Sequence, residues 1–220
     1  MEEWMKPFEN CTLCPRKCGV NRSTGKAGAC HVDAQMRVAR AALHFWEEPC
    51  ISGEEGSGAV FFTGCSLGCV FCQNTEISGG QAGENVSVER LAEIYLNLQE
   101  QGANNINLVT AGHYAPAVAE SLRRAKDMGL QIPVVFNSSG YELPDTLRLL
   151  DGLVDMYLPD MKYMDGKLAG KYSHAQNYPV VAKAALEEMV RQCPVCEFDE
   201  RGRMKKGVIV RHLLLPGHVK

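Results

Sequence analysis

Nine of the ten cysteines in this 220-residue chain fall into three tight groups: Cys11, Cys14, Cys18 and Cys30; Cys65, Cys69 and Cys72; Cys193 and Cys196. Only Cys50 stands alone. A disulfide framework belongs to short secreted chains that carry a signal peptide. Here the start, Met1-Glu2-Glu3-Trp4-Met5-Lys6, has neither a basic n-region nor an apolar h-region, and no run of about 18 apolar residues follows. The expectation is a cytoplasmic, reducing setting in which closely spaced thiols act as metal ligands. A formal charge of -3 gives no electrostatic footprint for nucleic acid or anionic membrane, so neither is expected as a partner.

Residues 1–50 show little helical or strand periodicity and few apolar residues, and read as a Cys-rich segment that a metal would hold together. The glycine-rich stretch Ser52-Gly-Glu-Glu-Gly-Ser-Gly58 leads into a main unit over 51–220. In it, apolar runs at 59–63, 105–110, 132–136, 153–158 and 207–215 predict strands. Between them Ser87 can cap a helix whose Val88, Leu91, Ile94, Tyr95 and Leu98 share a face, with Gly102 as its stop. Further helices are predicted from Pro116 to Gly129, Pro144 to Leu150 and Pro179 to Arg191. This alternation argues an α/β fold with a parallel sheet wrapped by helices. Polar residues gather just after the strand ends: Cys65, then Thr110 and His113, then Asn137 and Ser138, then Asp160 and Lys162. In α/β folds that edge is where ligands bind.

The group Cys65-Ser-Leu-Gly-Cys69-Val-Phe-Cys72 places three thiolates on one short loop directly after a strand. Three soft ligands so spaced suit three corners of a [4Fe-4S] cluster and leave one iron open to an external ligand. The plainer alternative is a zinc loop short of its fourth ligand, or three packed thiols.

With Gln73 and Asn74, this loop resembles the signature of the radical S-adenosylmethionine (SAM) superfamily, and within it the branch of pyruvate formate-lyase activating enzymes. The stretches at 105–110, 137–141, 157–163 and 211–217 are similar to an uncharacterised group of activating-enzyme homologues, and the N-terminal cysteines resemble the radical SAM partner of the AmmeMemoRadiSam proteins. The resemblance implies a partial (β/α)6 barrel and an open iron chelated by SAM. It also implies reductive cleavage of SAM to a 5'-deoxyadenosyl radical that abstracts hydrogen, as in the activation of a glycyl radical enzyme or similar protein substrate. A flavodoxin- or ferredoxin-like reductant is implied with it. By match, Phe71 should lie near the adenine, Asn74 should contact SAM, and Asp160 and Lys162 form the family's Asp-x-Lys element. Where most members carry Gly-Gly-Glu to hold the SAM amino group, this chain reads Thr110-Ala-Gly-His113, so Thr110 and His113 are candidate contacts, with Asn137 and Ser138 beside them. The plainer readings are a strand-end ion pair for Asp160 and Lys162, and loop hydrogen bonding for His113, Asn137 and Ser138. The chain stops soon after Leu213-Leu-Leu-Pro-Gly217, so a core truncated before its last strand is expected.

Cys11, Cys14, Cys18 and Cys30 supply enough ligands for one zinc ion or one auxiliary iron-sulfur cluster, and spacing does not decide between them. Cys193 and Cys196 fit a zinc knuckle, a redox pair or part of a hairpin; Cys50 reads as a lone packed thiol. The rival to an enzyme is a non-catalytic zinc- or iron-sulfur-binding module, either a truncated remnant or an electron carrier.

Overall fold

The chain enters its sheet earlier than the sequence suggests: β1 (Arg37–His44) pairs antiparallel with β2 (Ser57–Phe62), and the short β3 (Glu84–Asn85) adds antiparallel to the outer side of β1. The computed structural model describes residues 2–218. From β2 the sheet continues in parallel through β4 (Ile106–Val109), β5 (Val134–Ser138) and β6 (Met156–Met161). At the far side β7 (Glu197–Phe198) forms an antiparallel pair with β8 (Met204–Val208), which lies parallel to β6; β9 (Arg211–His212) pairs with the last residues of β6. The order β3-β1-β2-β4-β5-β6-β8-β7 leaves the sheet open, so the fold is α/β with a mostly parallel sheet, and the barrel is not closed among the described residues.

Two corrections follow. Residues 37–44 belong to the sheet and not to an irregular Cys-rich segment. The single strand expected over 207–215 is instead two pieces that both lean on β6, Gly207 opposite Met156 and Arg211 opposite Asp160, and residues 213–215 lie in no strand.

Helices take the places the periodicity gives them. α1 (Pro49–Ser52) and α2 (Thr75–Ser78) are single turns, whereas α3 (Val88–Glu100) is capped by Ser87, whose Oγ accepts the Arg90 N–H at 3.1 Å. α4 (Ala115–Asp127) carries Pro116 in its first turn, where no intrahelical donor is lost. After α5 (Pro144–Arg148) comes α6 (Gly166–Ser173), which the sequence reading passed over although Asp165 caps it, accepting from Lys167 N at 2.6 Å; α7 (Tyr178–Gln192) completes the set.

Strand residues alternate between two environments, as a period of two requires. Val60, Phe62, Leu108, Val134 and Phe136 meet Leu91, Tyr95, Leu122 and Met189 of the helices in one core. Val135, Met156 and Leu158 face the other way, packing with Ile51 and Met204. Further along that second face the same strands turn polar, with Asn137 two residues beyond Val135 and Asp160 two beyond Leu158. Phe8, Cys11, Leu13, Cys30, Val32 and Met36 join the helix-side core, so the N-terminal segment is built into the fold.

Candidate metal centre and cofactor site

β2 delivers the chain to the sheet edge where the parallel strands end, and the turn into the cysteine loop is tight. At Gly64, with φ +92, a Cβ would stand 2.7 Å from the Cys30 carbonyl oxygen, so only glycine fits. The next N–H, of Cys65, donates to that same oxygen at 3.2 Å. Within the loop Cys72 N donates to Cys69 O at 3.1 Å, and Val70 N reaches Tyr172 O at 2.8 Å. The Ser173 hydroxyl donates to Cys69 Sγ at 3.0 Å and lies 2.6 Å from the Tyr163 hydroxyl. Arg16 pins the far side, donating to the carbonyls of Ser66 (2.8 Å), Leu67 (3.0 Å), Ser173 (3.1 Å) and His174 (2.5 Å). The N-terminal segment and the end of α6 therefore hold the loop from both sides.

Cys65, Cys69 and Cys72 are free and half-buried. Burial raises the Cys65 and Cys69 thiols, and the Ser173 hydrogen bond works against that rise at Cys69. Among the described residues no three or more His, Cys, Asp or Glu side chains close on one ion-sized point. A cubane makes no such demand, since each thiolate ends on a different iron. Three soft donors on one loop at the ligand-binding edge fit a [4Fe-4S] cluster with one iron left unligated by protein.

Of the other candidates, Phe71 lies on the loop with its ring 6.4 Å from that of Tyr163, and Asn74 is exposed at the start of α2. Thr110 holds φ +62, a conformation that costs a β-branched residue about 1–3 kcal/mol and gathers at functional sites. Its N–H donates to Asn137 O at 2.9 Å. Lys162 Nζ pairs with Asp160 Oδ2 at 2.6 Å. The Tyr178 hydroxyl, 2.8 Å from Asp160 O and 2.7 Å from Ser139 O, accepts the Lys162 N–H at 2.9 Å and so fixes the backbone that carries the pair.

Arg211, which the sequence reading absorbed into a strand, belongs to the same group. Its Nε donates to Asp160 Oδ1 at 2.8 Å and its Nη2 to Asn137 Oδ1 at 2.6 Å, while Asn137 Nδ2 donates to Glu47 at 3.1 Å. Asn137, Asp160, Lys162, Arg211 and Glu47 thus form one connected polar network. Ser138 and His113 stand apart from it. Ser138 Oγ donates to the buried Glu142 at 3.0 Å, and burial pushes that carboxyl up to about 7.

His113 is buried with its ring 4.3 Å from that of Tyr114, and Nε2 is 2.8 Å from Thr63 O. Burial, and then the Arg22 charge, push it down to about 3 from its ordinary 6.5. The ring is therefore neutral near pH 7, with Nε2–H donating to the carbonyl. The unfolded chain takes up this proton near 6.5 and the folded chain only near 3, so stability is present above that window and lost as pH falls through it. His113→Gln, which keeps a donor for Thr63 O, is expected to flatten the acid loss of stability. Urea midpoints between about pH 4 and 7 on cluster-free protein measure it, and parallel curves for variant and wild type would contradict this account.

The profile of the radical SAM superfamily matches residues 59–197, well over half the chain, from within β2 through the cysteine loop to the first residue of β7. The chain belongs to the radical SAM superfamily, and with that membership come a [4Fe-4S] cluster and SAM as its cofactors. Over 219 residues it is 29% identical to an uncharacterized protein of Methanocaldococcus jannaschii, an alignment covering 96% of this chain and 59% of that protein. The chain thus spans less than two thirds of this relative's length. Among the described residues no helix is long and apolar enough to cross a membrane.

Proposed function

We propose that this chain holds its cluster on Cys65, Cys69 and Cys72, binds SAM across the carboxyl ends of β4, β5 and β6, and acts as an activating enzyme of the pyruvate formate-lyase activating branch. Its target is a glycyl radical enzyme or similar protein substrate, and its reductant a flavodoxin- or ferredoxin-like protein. Residues 51–220 carry this activity and the Cys-rich segment before them supports it. Bound there, the cluster and SAM supply one-electron cleavage of a sulfonium carbon–sulfur bond and hydrogen abstraction.

The observation that carries the reading is the nearness of the loop to the polar network: Cys69 Sγ accepts from the Ser173 hydroxyl at 3.0 Å, and that hydroxyl lies 2.6 Å from the hydroxyl of Tyr163, the residue next to Lys162. Asp160 can accept from a ribose hydroxyl, and Lys162 can neutralise a ligand carboxylate through a charge-assisted hydrogen bond. Phe71 offers an aromatic face to a base, and Asn74 and Thr110 polar contacts at the rim. The superfamily match does not favour a non-catalytic module.

The test is anaerobic reconstitution, then SAM and dithionite, with chromatography for 5'-deoxyadenosine. The product is expected from the wild type and not from a variant lacking the three loop cysteines. Lys162→Ala is expected to weaken SAM binding about ten- to hundredfold, the worth of one charge-assisted hydrogen bond, with the cluster's absorption unchanged. No product above the cysteine-free control, with the cluster shown to be reduced, would overturn the proposal.

A further inference from the structure

We propose that Cys11, Cys14, Cys18 and Cys30 form a second metal centre, an anionic tetrathiolate site whose counter-ion is the buried guanidinium of Arg22. This goes beyond the reading of the Cys65 loop and does not depend on it. All four cysteines are free; Cys11, Cys14 and Cys30 are buried and Cys18 half-buried. They sit on two irregular loops, with one short 3-10 turn between them at Arg22–Thr24 and another, Glu3–Phe8, just before Cys11. Cys11 N donates to Val20 O at 3.1 Å and Gly19 N to Cys11 O at 3.0 Å, folding the first loop back on itself; Gly28 N to Val32 O at 3.0 Å does the same for the second.

The loops meet at Gly28. A Cβ there would lie 3.4 Å from Cys18 Sγ, 3.6 Å from Cys30 Sγ and 3.2 Å from Arg22 Cδ, so two sulfurs and the arginine share one nook. Arg22 is 1% exposed, and its Nη1 lies 3.6 Å from Cys11 Sγ. Every other bond it makes is to a neutral carbonyl: Val32 O at 3.2 Å, His113 O at 2.7 Å and Asp33 O at 2.7 Å. The rings of Phe8 and Tyr114 flank it at 4.9 and 5.4 Å. No carboxylate oxygen lies within 4.0 Å of it among the described residues.

A fully buried guanidinium without a counter-charge is strongly disfavoured, and neutral thiols do not supply one. Four thiolates on a divalent ion, or on a [4Fe-4S]2+ core, carry a net double negative charge, and each ligating thiol releases its proton to solvent on binding. The sulfurs do not close on one ion-sized point. Cysteine turns on a single side-chain torsion, and a cluster would take each sulfur on a separate iron.

The experiment uses the full chain with Cys65, Cys69 and Cys72 changed to alanine, so that any retained metal belongs elsewhere. About one zinc per chain, or about four irons with matching sulfide, is expected to remain, the first outcome giving an ion and the second a cluster. Adding Cys14→Ser and Cys30→Ser should remove it. In the wild type, Cys11, Cys14, Cys18 and Cys30 should resist iodoacetamide until a chelator is added, a measurement that needs no variant to fold. Arg22→Met should speed extraction by chelator at least about tenfold, and Arg22→Lys should recover part of that loss. Metal far below one equivalent in the variant lacking the loop cysteines, or alkylation of the four thiols at a rate that a chelator leaves unchanged, would overturn the site. Equal extraction rates from Arg22→Met and Arg22 would overturn the counter-ion.

Discussion

Cys69→Ala is expected to remove the SAM-sensitive signal of the reduced cluster entirely, whereas Ser173→Ala, which deletes only the hydroxyl on the same sulfur, should keep the cluster and lower its reduction potential. The two variants separate ligation from tuning. With one of three loop thiolates gone, two corners remain for a cubane that already has one iron without a protein ligand, and the loop carries no fourth cysteine. Losing the Ser173 hydrogen bond, 3.0 Å to Cys69 Sγ, withdraws a donor that stabilises negative charge on sulfur, and the more reduced state carries more of that charge. Electron paramagnetic resonance with and without SAM reads the first, and redox titration the second. A SAM-responsive signal in Cys69→Ala would show that another residue closes the cluster. An unchanged potential in Ser173→Ala would show that the hydroxyl bonds only Tyr163.

How much of this was legible in sequence depended on the range of the interaction. The spacing of the cysteine loop is a local signal, three thiols within eight residues, and whereas the fifth apolar run breaks into β8 and β9, the first four were readable because each strand core is local. β1 was not: Arg37-Val-Ala-Arg-Ala-Ala-Leu-His44 carries two arginines and three alanines, and its strand character comes from pairing with β2. The sidedness of β5 follows from its alternation. Phe136 and Ser138 share the helix-facing parity while Val135 and Asn137 share the other, so alternation alone assigns Asn137 to the polar network and turns Ser138 away from it. The three arginines that organise the site were invisible for a different reason. Arg16, Arg22 and Arg211 reach carbonyls or side chains many residues distant, and no local period marks such partners.

Arg16→Ala should therefore be more damaging than its half-buried position suggests. One planar guanidinium bonds four carbonyls, two on the cysteine loop and two at the end of α6, and lies 5.4 Å from the Tyr141 ring centre. Removing it leaves Ser66 O and Leu67 O without that donor, so that the loop is held to the end of α6 only by the Ser173 hydroxyl on Cys69 and by Val70 N on Tyr172 O. Charge-assisted bonds are worth about 1.5–3 kcal/mol each and do not add fully when one side chain makes them all, so a loss of about 2–4 kcal/mol is expected. If that loss falls on the loop alone, the competent loop population drops at least about tenfold, and reconstitution with iron and sulfide slows accordingly while the melting temperature stays put. If it falls on the whole fold, the melting temperature of the metal-free chain drops by several degrees. Arg16→Lys keeps the charge but lacks the fork, so it should rescue neither fully. The structure favours the first outcome, because the bonded carbonyls belong to a loop and a helix end that pack in a small separate cluster around Leu67, Tyr141, Tyr163 and Tyr178, apart from the helix-side core. Wild-type reconstitution kinetics together with a wild-type melting temperature in Arg16→Ala would mean that the Cys30 carbonyl and Ser173 seat the loop without it.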